Sequence, residues 1–133
     1  MATTSSGRST RRSRLPAAIV TAIDAVREKK AEDVLALDLR EAEAFTDYFI
    51  VCTGQNRRQV QAIADAVEQK LKARKLRPSH VEGYERGEWV LLDYFDFVVH
   101  VFAPNARMFY GLERLWGNAR SVALPEPTPS PAA

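Results

Sequence analysis

"TDYFIVCTGQNRRQVQAIADAVEQKL", residues 46–71, decides the fold. Its first nine residues are rich in β-branched and aromatic side chains and end at Gly54, so they predict a strand closed by a turn. Asn56 follows, with Gln59 three residues on, and this pairing marks a capping-box helix start. Val60, Ile63, Ala64, Val67 and Leu71 then recur at helical spacing and define one apolar stripe. A strand, a tight turn and an amphipathic helix in this order indicate an α/β domain.

The same periodicities extend in both directions. Upstream, "DVLALDL" (33–39) alternates as a strand, and Leu15, Ile19, Ala22, Ile23 and Val26 form the stripe of a first helix with Pro16 in its first turn. Downstream come a short strand or turn at "HVEGY" (80–84) and two strands, "GEWVLLDY" (87–94) and "DFVVHVF" (96–102). A last helix, "NARMFYGLERLW" (105–116), is expected to be capped by Asn105. Its Phe109, Leu112, Leu115 and Trp116 share a stripe that would pack the sheet edge. The expected fold is therefore α/β, a mixed β-sheet sandwich with helices.

With 133 residues the chain has room for one domain, expected over 15–120. Residues 1–14 carry Arg8, Arg11, Arg12 and Arg14, no acid and almost nothing apolar, which predicts a disordered tail. Residues 121–133, ending "PEPTPSPAA", read as a Pro-rich flexible tail. Outside the arginine tail, 15 basic residues face 16 acids over 15–124, a net charge near −1. A domain built to wrap nucleic acid would be markedly basic. The lone Cys52 suits a reducing compartment, and no apolar stretch reaches the length of a membrane span. A bacterial cytoplasmic protein is expected, with mitochondrial or plastid residence as the alternative suggested by the acid-free Arg/Ser start.

Alternate side chains of a strand point to opposite faces. Phe97, Val99 and Val101 make one apolar set, joined by Val90, Leu92 and Tyr94 and by Tyr48, Ile50 and Cys52, and these should lie under the helices. The other set holds Asp96, Val98, His100 and Phe102, then Trp89, Leu91 and Asp93, then Asp47, Phe49, Val51 and Thr53. Too few helices are expected to cover both faces, so the second face should be partly open. Large exposed apolar patches mark docking sites. Trp89 and Phe49 are of the type that dominates interface cores, and the three aspartates would suit a basic partner.

Catalytic readings are poorly supported by the residues. His100 has the ordinary pKa of a general base, but no serine, cysteine or carboxylate motif accompanies it. His80, His100 and Cys52 lie at no zinc-ligand spacing. The "CTGQNRRQV" turn could present a helix N-terminus and Arg57 and Arg58 to a phosphate, yet it holds a single glycine where phosphate loops need several. Asp93 and Asp96 could pair only across a turn. The expectation is no enzyme, no cofactor and no metal; a nucleotide-binding or nucleotidyl-transferring enzyme is the alternative.

"TDYFIVCTG", "RQVQAIADAV", "EGYERGEWVLLDYFDFVVHVF" and "RMFYGLERLW", in that order, closely resemble the ribosomal silencing factor family, also called Iojap-related proteins. The likeness covers roughly residues 15–118. It is carried by Asp47, Gly54, Arg58, Glu82, Gly83, Trp89, Asp93, Asp96, His100, Phe102, Arg107, Tyr110, Glu113 and Trp116. Phe95 departs from the pattern, standing where the family usually has glycine. The resemblance implies a nucleotidyltransferase-like fold without the catalytic residues. It also implies a factor that binds the large ribosomal subunit through its fourteenth protein, blocks association with the small subunit and represses translation when nutrients are short. The expected partner-binding residues are Asp47, Phe49, Glu82, Trp89, Asp93, Asp96 and His100. The N-terminal arginines could add incidental contact with ribosomal RNA, no membrane partner is expected, and the protein would act as a monomer or homodimer.

Overall fold

A computed structural model describes residues 15–42, 44–106 and 120–125. Helix α1 (Ala17–Glu28) leads into strands β1 (Glu32–Asp38) and β2 (Tyr48–Thr53), then helix α2 (Arg57–Ala73). Strands β3 (His80–Glu82), β4 (Trp89–Asp93), β5 (Phe97–Phe102) and β6 (Arg120–Val122) follow. They form one six-stranded sheet in the order β3-β4-β5-β2-β1-β6. The β2–β5 pairing alone is parallel, in register from Tyr48 opposite Phe97 to Thr53 opposite Phe102. All other pairings are antiparallel. Parallel neighbours need a long crossover, and here α2, β3 and β4 fill it.

The capping signal forms as expected, with one variation. Asn56 Oδ1 accepts from the Gln59 N–H at 2.9 Å, while Gln59 Oε1 accepts from the N–H of Gln55, one residue before the cap. Gly54 sits where α2 crosses the end of β2. A Cβ there would lie 2.9 Å from Val60 Cγ2 and 3.0 Å from the Val60 nitrogen, so the side chain is omitted to let helix and strand meet.

Both helices pack on the face expected for them. Ile19, Ile23 and Val26 of α1 and Val60, Ile63, Val67 and Leu71 of α2 share one core with Ile50, Cys52, Val90, Leu92, Val99 and Val101. Complete burial of one such aliphatic side chain contributes about 1.5–3 kcal/mol. Cys52 is fully buried among them and serves packing.

The opposite face departs from expectation. Phe49, Val51, Val98 and Phe102 are buried there with Leu37 and Leu39 in a second apolar cluster, with Leu35, Ala44, Trp89, Leu91 and Ala106 partly buried against it. All six residues of β2 and all six of β5 are buried. Side chains of the flanking β1 and β4 and of Leu39, Ala44 and Ala106 pack over the pair on this side. The face opens at β4, where Trp89, Leu91 and Asp93 are half-buried between buried Val90 and Leu92.

Two further differences concern the ends of the domain. Helical backbone begins at 104, so Asn105 lies inside the first turn and does not cap it. The stripe expected at Phe109–Trp116 lies outside the described residues, as do residues 1–14. Arg120–Val122 straddles the point where a flexible tail is expected to begin, yet it forms β6 against Ala36–Asp38 of β1. Val122 and Leu124 pack on the helix-side core, and the Pro125 carbonyl accepts from Arg27 at 2.8 Å. Among the described residues no helix is long and apolar enough to cross a membrane.

Candidate docking surface

Strand register sorts the seven expected site residues into three environments. Asp93 stands opposite Val98, Leu91 opposite His100, and Trp89 opposite Phe102. On the outer side of β4, His80 stands opposite Asp93 and Glu82 opposite Leu91. Trp89 and Asp93 therefore share a face but sit four residues apart, roughly 13 Å along the strand.

At one end the structure gathers the three aspartates. Asp47 precedes β2 and Asp96 precedes β5, and the Asp47 N–H donates to the Asp96 carbonyl at 3.0 Å. The Thr46 hydroxyl donates to the Phe95 carbonyl at 2.8 Å, and Asp93 Oδ1 accepts from the Phe95 N–H at 2.8 Å. These bonds tie the segment before β2 to the β4–β5 turn. Asp47 and Asp96 are exposed and Asp93 is half-buried.

At the other end lies an aromatic group. The Trp89 indole N–H donates to His100 Nδ1 at 3.1 Å, and its ring stacks on Phe102 with centroids 5.1 Å apart. The Phe49 ring meets His100 edge-on at 4.4 Å. Gly83 sets the position of Trp89. It adopts φ +81°, and a Cβ there would fall 2.0 Å from the Trp89 carbonyl oxygen, so no other residue fits between β3 and β4.

Phe49 and His100, expected on an open face, are only 2% and 3% exposed. The correction lies in the packing on that face, where Leu37 and Leu39 cluster with Phe49 and the His100 ring is enclosed by Phe49, Trp89 and Phe102. Neither can touch a partner directly in this arrangement; they support Trp89 from beneath. Since Nδ1 of His100 accepts a hydrogen bond, the ring proton resides on Nε2, which has no hydrogen-bond partner among the described residues. Burial pushes the His100 pKa down to about 3, so the imidazole is neutral near pH 7 and a weak base. Glu82 is exposed on the edge strand and is paired with His80 at 2.5 Å.

The α2 turn is occupied by its own side chains. Asn56 and Gln59 engage the turn amides, and Arg57 Nε donates to the Glu85 carbonyl at 2.8 Å, away from any incoming phosphate. Among the described residues no group of three or more His, Cys, Asp or Glu is placed to hold a metal ion. Residues outside the expected site set also define the surface: Leu91, which strand alternation places on this face and which is half-buried, and Phe45 and Phe95, which are both exposed. Phe95 is the residue that stands where glycine is usual, an aromatic side chain in a turn between two strands, a place that usually holds polar residues or glycine.

Comparison with known proteins identifies the family. Residues 12–133 match the family model described as "Ribosomal silencing factor during starvation". The chain is 43% identical over 103 residues to the ribosomal silencing factor of Halalkalibacterium halodurans, covering 77% of this chain and 88% of that protein. It is 34% identical over 111 residues to the chloroplastic protein Iojap of Zea mays, covering 80% of this chain and 46% of that protein. A crystal structure of a Chromobacterium violaceum protein superposes with a TM-score of 0.71 at 38% identity, covering 84% of this chain and 90% of that one. This chain belongs to the ribosomal silencing factor family.

Proposed function

We propose that the protein binds the large ribosomal subunit through its fourteenth protein, excludes the small subunit sterically and represses translation under nutrient limitation. The observation that carries this reading is the half-open face of β4, where Trp89 and Leu91 lie between Glu82 on one side and Asp93 with Asp47 and Asp96 at the end. An aromatic anchor inside an acidic rim matches a basic protein surface. Occupying a surface that the small subunit must touch is enough to block joining, so no chemical step is needed. The family name supports action on ribosomes and describes a regulatory factor rather than an enzyme. The bacterial and chloroplastic relatives support the bacterial cytoplasm or an organelle as the place of action.

Sedimentation with isolated subunits tests the proposal. The protein should travel with large subunits and not with small ones, and adding it before mixing should shrink the monosome peak. Association with small subunits alone, or an unchanged monosome peak at saturating protein, would reject it.

A further inference from the structure

Phe45 and Phe95 are the most exposed large apolar side chains among the described residues, at 72% and 76%. The structure places them at one end of the sheet. Thr46, next to Phe45, bonds the Phe95 carbonyl, and Asp47 bonds the Asp96 carbonyl. The Phe45 ring rests edge-on against Phe49 at 6.4 Å, which roots it in the inner cluster while most of its surface faces solvent. Phe95 is held outward by an unfavourable backbone. It has φ +74°, and the Asp96 N–H bonds the Tyr94 carbonyl at 2.8 Å across it. A three-residue turn of this sense is rare and strained for any residue with a Cβ. A bulky aromatic at such a position, contributing its ring to solvent instead of to the core, is an outlier of the kind that accompanies binding.

The surrounding charge selects the partner. Asp96 follows Phe95 directly, Asp47 lies two residues after Phe45 and bonds Asp96 through the backbone, and the Asp93 carboxylate accepts from the Phe95 N–H. A nearby cation among the described residues, Arg40, is engaged twice by Asp38, at 2.8 and 3.0 Å, and lies over the Tyr48 ring. Carboxylates repel a phosphate backbone and attract ammonium or guanidinium groups, while aromatic faces bind those cations through their quadrupole. We propose that Phe45 and Phe95, with Asp47 and Asp96, form an aromatic–acidic clamp for a lysine- or arginine-bearing protein segment on the large subunit. This rests on the large-subunit reading above and adds two aromatic side chains to the acidic end of that surface, away from Trp89.

The strained turn provides a clean test. Phe95→Gly removes the ring and relieves the backbone, so the variant should unfold at a higher temperature than the parent yet bind large subunits less tightly. Phe95→Asn, which also tolerates this φ, and Phe45→Ser are the companion variants. With purified full-length protein and isolated large subunits, each should weaken binding about tenfold, a typical loss for one buried aromatic contact. Asp96→Asn should weaken it too, and raised salt should narrow the gap between that variant and the parent.

Unchanged affinity in all three aromatic variants, with the parent binding normally, overturns the clamp and leaves the large-subunit reading standing. A parent that fails to bind large subunits overturns both. If the parent self-associates in analytical ultracentrifugation and Phe95→Gly abolishes that instead of subunit binding, a second copy covers the rings and the clamp is wrong. If the variants lose affinity for protein-free ribosomal RNA, the partner is nucleic acid and the clamp is equally wrong.

Discussion

His100 should make folding stability depend on pH in a calculable way. Its ring is 3% exposed, Nδ1 is committed to Trp89, and burial holds its pKa near 3, against 6.5 for an unhindered imidazole. Between those values the unfolded chain takes up a proton that the folded protein refuses. The stabilisation is therefore complete above about pH 6.5 and is lost as pH falls towards 3, with a slope approaching about 1.4 kcal/mol per pH unit. Lowering pH from about 7.5 to 4.5 should remove about 3 kcal/mol through this residue alone. His100→Asn is the informative variant, because its side-chain oxygen can still accept from the Trp89 indole while the titrating group is gone. Urea unfolding of both proteins across that range isolates the effect, since carboxylates titrate in both. The parent should lose stability more steeply than the variant, even if the variant starts lower because of the smaller side chain. Parallel curves would refute the reasoning and mean that His100 ionises in the folded protein.

Trp89→Ala should weaken large-subunit binding by about 2 kcal/mol, the scale of a central aromatic anchor, while the protein stays folded; a pelleting assay with circular dichroism as the folding control checks both. Asp93→Lys should weaken the same binding by setting like charges together, and the loss should shrink in high salt. Gly83→Ala should destabilise the fold by more than about 2 kcal/mol in thermal unfolding, because its Cβ would displace the Trp89 carbonyl at a positive φ. Deleting residues 1–14 should weaken subunit binding modestly at low salt and leave the block of subunit joining intact, as measured by gradient profiles over a salt series.

Much of this fold was legible in the chain because its signals are local. Asn56 and Gln59 act within one turn, and their spacing alone marks the start of α2. Alternation in β2, β4 and β5 correctly assigned Ile50, Cys52, Leu92, Val99 and Val101 to the helix side, because a pleated backbone sends successive side chains to opposite faces. The separation of arginine-rich start from near-neutral domain was equally plain in the composition.

What covers the other face was not local information. Alternation shows that Phe49, His100 and Phe102 share a side, but not that β2 and β5 lie side by side at the centre of the sheet. Each pair in that ladder is 49 positions apart in the chain, and the ladder gathers Phe49, Val51, Val98 and Phe102 with Leu37 and Leu39 into one buried cluster. Arg120–Val122 is a strand only because β1 offers it an edge, and its own residues carry no strong pattern. Phe95 takes a left-handed backbone because Asp93, Tyr94, Asp96 and Thr46 bind the turn around it. Side-chain spacing determined which residues could act together. Long-range pairing decided which of them reach the surface, because burial depends on what the rest of the chain brings alongside.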